Sequence, residues 1–386
     1  MKLTLNRDTV LPALMGVAAV AKGGRQGEVG HDRLLLEADT SGITLIACSP
    51  TQCQLVARAE AVVVTPGRAV LPASKLLDIA RALGNGASLD LSRSGKTPVG
   101  RVTLRAGRSM FRLQGTDPDS FPVIETPERL ASLALGAGDL ATALEQVAPS
   151  MANNDVRYYL NAALVDMTAQ PARLVTTDGH RLALRQLPAT AESTGEGKFL
   201  LPRETVLLLA RLLRQRTEGE AVSVALGSTL AEIAVGELRL TTRLVDGSFP
   251  DYERVIPSEH DQTDALEIDR GDLTGSLKRI LAGSESGNRG VHPVVLSRAQ
   301  GGLALDASGG QDDEGAAHDE IPMRYQGEGD IRAAFNRGYL ADAASVIHED
   351  RLHLHLGRSP STPGTLRGAD SNDLRVVLMP VRLEGG

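Results

Sequence analysis

Hydrophobic and polar positions alternate over many short stretches of the chain, which is the pattern of strands with one buried face. Between them lie longer stretches in which apolar residues recur with the period of a helix. Gly, Asn and Asp residues separate the strands, as expected of tight turns. The clearest strand patterns are Val102–Leu104, Phe111–Leu113, Val222–Leu226 and Leu238–Thr242. The sequence therefore predicts an α+β fold with largely antiparallel sheets.

The clearest predicted helix runs from Pro202 to Arg216. At about 100° per residue, its apolar side chains share one broad face, made by Val206, Leu208, Leu209, Leu212 and Leu213. Leu207 is the exception, and the opposite face carries Arg203, Arg211 and Arg214. A charged outer face usually contacts only solvent, but basic residues recur on most of the predicted helices. That recurrence favours a polyanionic partner, because phosphates can be contacted without reading a base sequence.

Parts of the chain match one another at a spacing of about 130 residues, the mark of a repeated structural unit. Leu71–Leu83 matches Leu201–Leu213, and Phe335–Ala344 is a third copy. In each copy a strand ends at an apolar residue and a helix follows at once. A proline suits the first helical turn in the first two copies, and Asn336 suits the N-cap in the third.

A second group of predicted helices repeats at a similar spacing and comprises Thr9–Ala19, Asp139–Ala148 and Asp272–Ala282. Each opens at or near a capping residue, and each carries a leucine at the equivalent place, namely Leu14, Leu144 and Leu277. A Ser-Phe-Pro motif closes the first and second units at Pro122 and Pro250. We therefore predict three modules, 1–127, 128–259 and 260–386, each with two helices packed on antiparallel sheets.

Composition narrows the function only slightly. The net charge of −7 would usually argue against nucleic acid, but an average does not exclude a basic strip. Cys48 and Cys53 form neither a disulfide framework nor a metal set, and they suit a reducing cytosol. The apolar stretch Val10–Ala21 imitates a signal peptide, but its place in the helical repeat argues against cleavage. No apolar run approaches the roughly 20 residues that a membrane-spanning helix needs.

The segment Asn154–Leu184 is the richest in candidate binding residues. Its pattern predicts two strands, Val156–Val165 and Leu174–Leu184, with a break at Gln170-Pro171. Tyr158 and Tyr159 stand beside Arg157, and Thr177–Leu182 combines a turn, an imidazole and a guanidinium. Rings and a planar donor fork suit contact with nucleic acid or with a peptide. Taken alone, the same residues equally suit a turn and a strand edge.

Motifs of enzyme chemistry are weak. Ser94–Thr97 resembles the end of a phosphate-binding loop, but Asp90 stands where the first glycine is needed, which favours a hairpin turn. His353 and His355 could form half of a metal site, but no carboxylate spacing completes it. The sequence therefore predicts no catalytic residue, metal site or cofactor. A metal-dependent hydrolase built on the two histidines is the weakest of the alternatives.

Four strings resemble the bacterial sliding clamp family, the beta subunit of DNA polymerase III: VRYYLN, TTDGHRLAL, RLVDGSFPDYERVIP and VVLMPVRL. The resemblance extends from Met1 to Leu383. It implies a head-to-tail homodimer in which six modules close into a ring, with helices lining the hole. It also implies a cytoplasmic, non-enzymatic processivity factor that encircles double-stranded DNA regardless of sequence. The implied partners are the DNA polymerase III alpha subunit, a clamp loader, and other polymerases and repair proteins with clamp-binding motifs.

The resemblance also assigns residues to three sites. The implied peptide-binding pocket lies between the second and third modules and comprises Leu160, Thr177, Gly179, His180, Arg181, Leu182, Pro250, Arg254, Val255, Val377, Met379, Pro380, Val381 and Arg382. The implied DNA contacts are Arg25, Asn154, Tyr158, Tyr159 and Arg203. The implied dimer interface places Arg108, Phe111 and Leu113 against Ile280, Leu281 and the acidic residues Asp312, Asp313, Glu314, Asp319 and Glu320.

The first module departs from the family pattern. Gln26–Gly30 stands where the family usually continues with Thr and Pro-Ile-Leu, and Ser49–Gln52 stands where it tends to show Asp-Leu-Glu. Met110 replaces a usual base at the implied interface, and Glu384–Gly386 extends beyond the usual end. These departures leave a second hypothesis open, in which a monomeric scaffold uses the same pocket but does not close on DNA.

Overall fold

The structure of the chain is a computed structural model, and it describes residues 1–21, 32–49, 53–93, 100–217, 219–263, 265–283, 292–307, 316–325, 327, 331–359 and 361–382. Several predictions from the sequence lie outside these described residues. They concern Arg25, Gln26–Gly30, residues 50–52 of the segment Ser49–Gln52, Ser94–Thr97, Asp312–Glu314 and Glu384–Gly386.

Within the described ranges six α-helices form, in the two alternating groups that the repeat predicts. The first group is α1 (Arg7–Ala21), α3 (Ala137–Val147) and α5 (Arg270–Gly283). The second group is α2 (Ala73–Ala82), α4 (Arg203–Leu213) and α6 (Arg337–Val346). Leu14, Leu144 and Leu277 are all fully buried, so the equivalent leucines anchor equivalent helices. None of the described helices combines the length and apolarity needed to cross a membrane.

The helix starts follow local chemistry. Asn336 is the N-cap of α6, because its side-chain oxygen accepts hydrogen bonds from the backbone N–H groups of Gly338 and Tyr339 at 2.9 and 3.2 Å. The prediction that a proline occupies the first helical turn in the other two copies is wrong by one residue. Pro72 is the N-cap of α2, and Pro202 is the last residue of a strand. Proline ends a strand there without leaving an unpaired N–H donor.

The strands divide between two compact units, and the first unit holds residues 1–140, 190–196 and 211–244. It contains a five-stranded sheet in the order β5 (Ala61–Thr65), β1 (Lys2–Asn6), β7 (Ser88–Arg93), β8 (Arg101–Ala106) and β9 (Ser109–Gln114). It also contains a nine-stranded sheet in the order β14 (Glu192–Thr194), β10 (Ala131–Gly136), β16 (Ala221–Leu226), β17 (Leu230–Val235), β18 (Leu238–Arg243), β4 (Cys53–Ala59), β3 (Gly42–Cys48), β2 (Arg33–Asp39) and β6 (Gly67–Pro72).

The second unit holds residues 141–189, 197–210 and 245–386. Its nine-stranded sheet has the order β15 (Lys198–Pro202), β11 (Ala162–Asp166), β12 (Arg173–Thr177), β13 (Arg181–Gln186), β27 (Leu374–Leu378), β26 (Gly364–Gly368), β25 (Arg351–His355), β19 (Leu266–Asp269) and β23 (Met323–Tyr325). Its four-stranded sheet has the order β22 (Ala317–Ile321), β21 (Gly302–Ala307), β20 (Pro293–Ala299) and β24 (Arg332–Asn336). Every strand pair in the described residues is antiparallel, as the sequence predicts.

The repeat is visible in the sheets. Each nine-stranded sheet joins a group of five strands to a group of four, through β18 and β4 in one sheet and through β27 and β13 in the other. In the five-stranded and four-stranded sheets, the equivalent places are held by β9 and β22. Within the part of the chain that the structure describes, neither strand has a partner on that side.

The strands follow the predicted alternation, with two local corrections. Ala131, Leu133 and Leu135 of β10 are buried, whereas the residues between them are half-buried. The predicted strand Leu174–Leu184 is in fact two, because β12 ends at Thr177 and β13 begins only at Arg181, after a turn. The predicted strand Val156–Val165 begins too early, because Tyr158–Leu160 forms a turn of 3-10 helix and β11 starts only at Ala162. Aromatic side chains favour strands, but the backbone turns here before the sheet begins.

Candidate peptide-binding pocket

A cavity of about 250 Å³ opens in the second unit, beside its nine-stranded sheet. Four short segments line it, each carrying apolar side chains with a few polar groups. The lining residues are Arg157, Tyr159 and Leu160; Thr177, Gly179, Arg181 and Leu182; Phe249, Pro250, Asp251, Tyr252 and Val255; and Val377 and Met379. An apolar slot with a few fixed polar groups is what the anchor residues of a bound peptide need.

The turn between β12 and β13 forms one wall. The hydroxyl of Thr177 donates to the Arg181 carbonyl at 2.6 Å and accepts from the Gly179 N–H at 3.0 Å. A carboxylate oxygen of Asp178 accepts from the N–H groups of His180 and Arg181 at 2.9 and 3.0 Å. Gly179 has a φ of +91°, a backbone conformation that glycine adopts readily and that other residues adopt only with strain. The four hydrogen bonds make this wall rigid.

The floor comes from the junction of β13 and β27. Leu182 and Val377 are opposite each other in this pair, and both are buried. The residue that follows β27 is hydrogen-bonded to the turn between β12 and β13, because the Met379 N–H donates to the His180 carbonyl at 2.9 Å. The pairing of two strands distant in sequence therefore creates the apolar floor.

The opposite wall, Phe249–Val255, is fixed by a buried phenol. The hydroxyl of Tyr252 donates to Asp166 at 2.8 Å and accepts from Arg173 at 3.2 Å. Burial raises the pKa of Tyr252 above its ordinary value. Burial alone would raise the pKa of Asp166, but hydrogen bonds from Thr168 and Tyr252 outweigh it and lower that pKa. The carboxylate is therefore charged beneath the wall at neutral pH and holds it to the sheet.

Three arginines lie at or beside the cavity, and each is paired with aspartate. The pairs are Arg157 with Asp155 at 2.8 Å, Arg254 with Asp251 at 2.8 Å, and Arg181 with Asp178 at 3.0 Å and with Asp342 at 2.6 Å. Hydrogen bonds from the side chain and backbone of Arg157 lower the pKa of Asp155 to about 2. The rim of the cavity is therefore close to electrically neutral.

Nine of the fourteen residues predicted for the pocket line this cavity: Leu160, Thr177, Gly179, Arg181, Leu182, Pro250, Val255, Val377 and Met379. The other five, which are His180, Arg254, Pro380, Val381 and Arg382, are neighbours in the chain and do not line it. The sequence did not assign Arg157, Tyr159, Phe249, Asp251 or Tyr252 to the pocket. All five stand inside the strings VRYYLN and RLVDGSFPDYERVIP. The strings that carry the family resemblance could therefore have indicated these residues as well.

The structure separates the residues predicted to contact DNA. Tyr158 is 58% exposed, whereas Tyr159 is half-buried and lines the cavity. Asn154 is exposed, with a φ of +57°. The guanidinium of Arg203 donates to the carbonyl of Met151 at 2.9 Å and to two neighbouring carbonyls. Burial, and then the charge of Arg181, lower the pKa of Arg203.

The residues predicted for a dimer interface also differ in exposure. Arg108 is exposed and Phe111 is half-buried at the free edge of the five-stranded sheet, whereas Leu113 is buried. On α5, Leu281 is exposed and Ile280 belongs to the core. Leu113 and Ile280 are therefore part of the core of the single chain.

No group of metal-binding side chains occurs among the described residues. The rings of His353 and His355 stand edge to face, 6.3 Å apart, on one face of β25. Burial lowers the pKa of His353, which also lies 3.9 Å from Glu267. One carboxylate at that distance does not complete a metal site.

The fold matches that of solved sliding clamps over nearly the whole chain. A DnaN sliding clamp from Pseudomonas aeruginosa, bound to griselimycin, is 30% identical, with a TM-score of 0.87 and coverage of 99% of this chain and 100% of that one. A beta sliding clamp from C. crescentus is 28% identical, with a TM-score of 0.88 and coverage of 99% of both chains. The fold is therefore that of a bacterial sliding clamp.

Sequence comparison identifies the family. Residues 1–125, 134–251 and 253–382 match the N-terminal, central and C-terminal domains of the DNA polymerase III beta subunit. The beta sliding clamp of Pseudomonas putida is 34% identical over 380 residues, which cover 98% of this chain and 95% of that protein. That of Escherichia coli K12 is 30% identical over 384 residues, covering 99% and 100%. The chain belongs to the DNA polymerase III beta subunit family.

Proposed function

We propose that this protein is a DNA sliding clamp, a cytoplasmic processivity factor with no catalytic activity or cofactor of its own. Two copies close head to tail around double-stranded DNA, without regard to base sequence. The cavity then tethers the DNA polymerase III alpha subunit, the clamp loader and other polymerases and repair proteins through short peptides. Tethering raises the local concentration of an enzyme at its substrate without new chemistry.

The observation that carries the ring proposal is the pair of sheet edges at β9 and β22, which no other described strand covers. Inside the chain, each group of five strands meets a group of four to make a sheet of nine. The sheet of five strands that ends at β9 and the sheet of four strands that ends at β22 remain unjoined among the described strands. A second copy, placed head to tail, supplies the missing partner at both ends and leaves neither edge free.

The internal repeat also gives the register of this contact. The turns at Gly107 and Gly236 are equivalent, with φ of +57° and +51°, so β9 aligns with β18. The pairing of β21 with β22 aligns β22 with β4 in the same way. Because Arg239 pairs with Val56, Met110 of one protomer is expected opposite His318 of the other. Met110 is 48% exposed in the single chain, as this contact requires.

The register supports a direct test by cysteine cross-linking. Directly opposite residues of an antiparallel pair lie about 4.5–5.5 Å apart at Cα, which suits a disulfide. We expect Met110→Cys with His318→Cys to form a covalent dimer on mild oxidation. Met110→Cys with Glu320→Cys moves the second cysteine two residues along the same face and is the matched control. Both native cysteines are buried, and burial raises the pKa of Cys48 to about 12, so the background is unreactive.

A topological assay then separates the clamp from the monomeric scaffold. The dimer is first loaded by its clamp loader onto nicked circular DNA and only then oxidised. The cross-linked ring should stay bound in high salt and leave when the DNA is cut. A scaffold would give no cross-link in the predicted register and no retention on the circle. Equal cross-linking by the control pair would contradict the proposed interface.

A further inference from the structure

The pairing of Arg181 differs from that of the other arginines beside the cavity. Arg157 and Arg254 each bind an aspartate no more than three residues away in sequence. Arg181 binds Asp178 in the same local way, but it also binds Asp342, which lies 161 residues further along the chain on α6. A helix of the third module thus contributes a carboxylate to a pocket wall made by the second.

The guanidinium of Arg181 is held on every side. Nε donates to Asp178 at 3.0 Å, Nη1 donates to Asp342 at 2.6 Å, and Nη2 donates to the carbonyl of Pro149. Its central carbon lies 4.2 Å from the centre of the Tyr339 ring, a cation–π contact. The side chain is only 10% exposed although it lines the cavity. The guanidinium is therefore held within the wall, and little of the side chain is exposed.

One carboxylate would not balance the charge at this place. Arg203 lies close enough for the charge of Arg181 to contribute to lowering its pKa, after the larger effect of burial. Arg203 donates to backbone carbonyls, which carry no compensating charge. Two arginines thus meet two aspartates, and Asp342 is the second. An uncompensated cation in an apolar cavity attracts carboxylates, and it makes burial of an apolar group beside it less favourable.

We propose that Asp342 is a specificity-determining residue of the pocket. It fixes the Arg181 guanidinium against Tyr339 and cancels its charge, so that the wall accepts apolar anchors and discriminates against acidic ones. Asp342 acts through Arg181 and is therefore a positioning residue. The inference rests on the proposed peptide-binding function and specifies its ligand, a peptide with uncharged apolar anchors.

The test measures selectivity, not affinity alone. The probe is a fluorescein-labelled peptide with one glutamine and two apolar anchors, and its counterparts carry glutamate at each anchor in turn. Fluorescence anisotropy on the full-length protein gives each Kd. Selectivity is the Kd of a glutamate peptide divided by the Kd of the apolar peptide. In Asp342→Ala this ratio should fall by about tenfold, because the released guanidinium can then bind a carboxylate.

Asp373→Ala is the matched control. Asp373 is 57% exposed at its side chain, against 50% for Asp342, and it pairs at 3.8 Å with Arg185 on the same strand as Arg181. Arg185 does not line the cavity. The control therefore removes a similar carboxylate from a similar arginine, and it should leave the ratio unchanged.

A double variant tests whether Asp342 acts through Arg181. In Arg181→Ala protein, adding Asp342→Ala should leave the ratio where Arg181→Ala alone put it. The inference is overturned if Asp342→Ala weakens all peptides by one common factor, or if its effect on the ratio persists without Arg181. If the wild-type protein fails to bind the apolar peptide at all, the proposed peptide-binding function fails, and the inference fails with it.

Discussion

The phenol oxygen of Tyr252 lies 2.8 Å from a carboxylate oxygen of Asp166, which is 2% exposed beneath the pocket wall. The ring of Tyr252 faces the cavity on one side, and its hydroxyl reaches the sheet on the other. One residue thus shapes the surface that a ligand meets and anchors that surface to β11.

Tyr252→Phe keeps the ring and removes the anchor. The buried charge of Asp166 then loses a donor, and we expect the free energy of unfolding to fall by about 2 kcal/mol. The loosened wall should also weaken binding of an apolar peptide. Urea denaturation and fluorescence anisotropy measure the two effects. Tyr158→Phe, at an exposed ring, is the control and should change neither; equal behaviour of the two variants would refute the role of the anchor.

Gly179→Ala tests the close approach in the turn. A Cβ at this position would lie 3.0 Å from Nη1 of Arg157 and would push that side chain along the rim. Gly86→Ala carries a similar strain at a φ of +71°, with nothing within 4 Å of the new Cβ. Both changes should cost roughly 1–2 kcal/mol of stability. Peptide affinity should fall in Gly179→Ala alone, by about tenfold; a matching loss in Gly86→Ala would assign the effect to general destabilisation.

The two adjacent tyrosines should separate in function. Tyr159→Ala enlarges the cavity and is expected to weaken peptide binding by about 2 kcal/mol. Tyr158→Ala removes an exposed ring and should leave peptide affinity unchanged while weakening retention on DNA at moderate salt. The measurements are peptide anisotropy and retention on nicked circular DNA. Loss of peptide binding in Tyr158→Ala would contradict the assignment of the two rings to different ligands.

The pair of Asp155 and Arg157 should make the stability of the protein depend on pH in the acidic range. The folded pKa of Asp155 is about 2, lowered from 3.8 chiefly by the hydrogen bond from Arg157. A lowered carboxyl pKa contributes stability that is present above the unfolded value and lost as pH falls through the folded one. The Tm advantage of wild type over Asp155→Asn should therefore be constant near neutral pH and shrink between about pH 4 and pH 2. A difference in Tm between wild type and Asp155→Asn that stays constant across this range would refute the prediction.

Local patterns predicted the helices, and the family resemblance predicted most of the apolar pocket. The two groups of helices follow from spacing and amphipathic period, because packing repeats whenever the module repeats. Leu160, Leu182 and Val377 were predicted because the strings that resemble the sliding clamp family contain them. The alternation of strands also predicted β8, β9, β16 and β18.

The contacts that fix the pocket could not be read from local sequence. Asp166 meets Tyr252 across 86 residues, and Asp342 meets Arg181 across 161. Nothing in the residues around either aspartate indicates its partner, because the pairing arises only when distant strands and helices pack. The place of Tyr159 in the cavity lining was missed for a local reason. Tyr158–Leu160 forms a 3-10 turn, so its side chains do not alternate between two faces as those of the predicted strand would.

The strand pairs that join β18 to β4 and β13 to β27 bear on how the chain unfolds. Each pair ties the middle module to a neighbour through a continuous sheet, so a cut at either repeat boundary would divide a sheet of nine. The cooperative blocks are then the two compact units and not the three sequence repeats. We expect denaturant melting in at most two transitions, and an excised middle module that aggregates through two exposed strand edges.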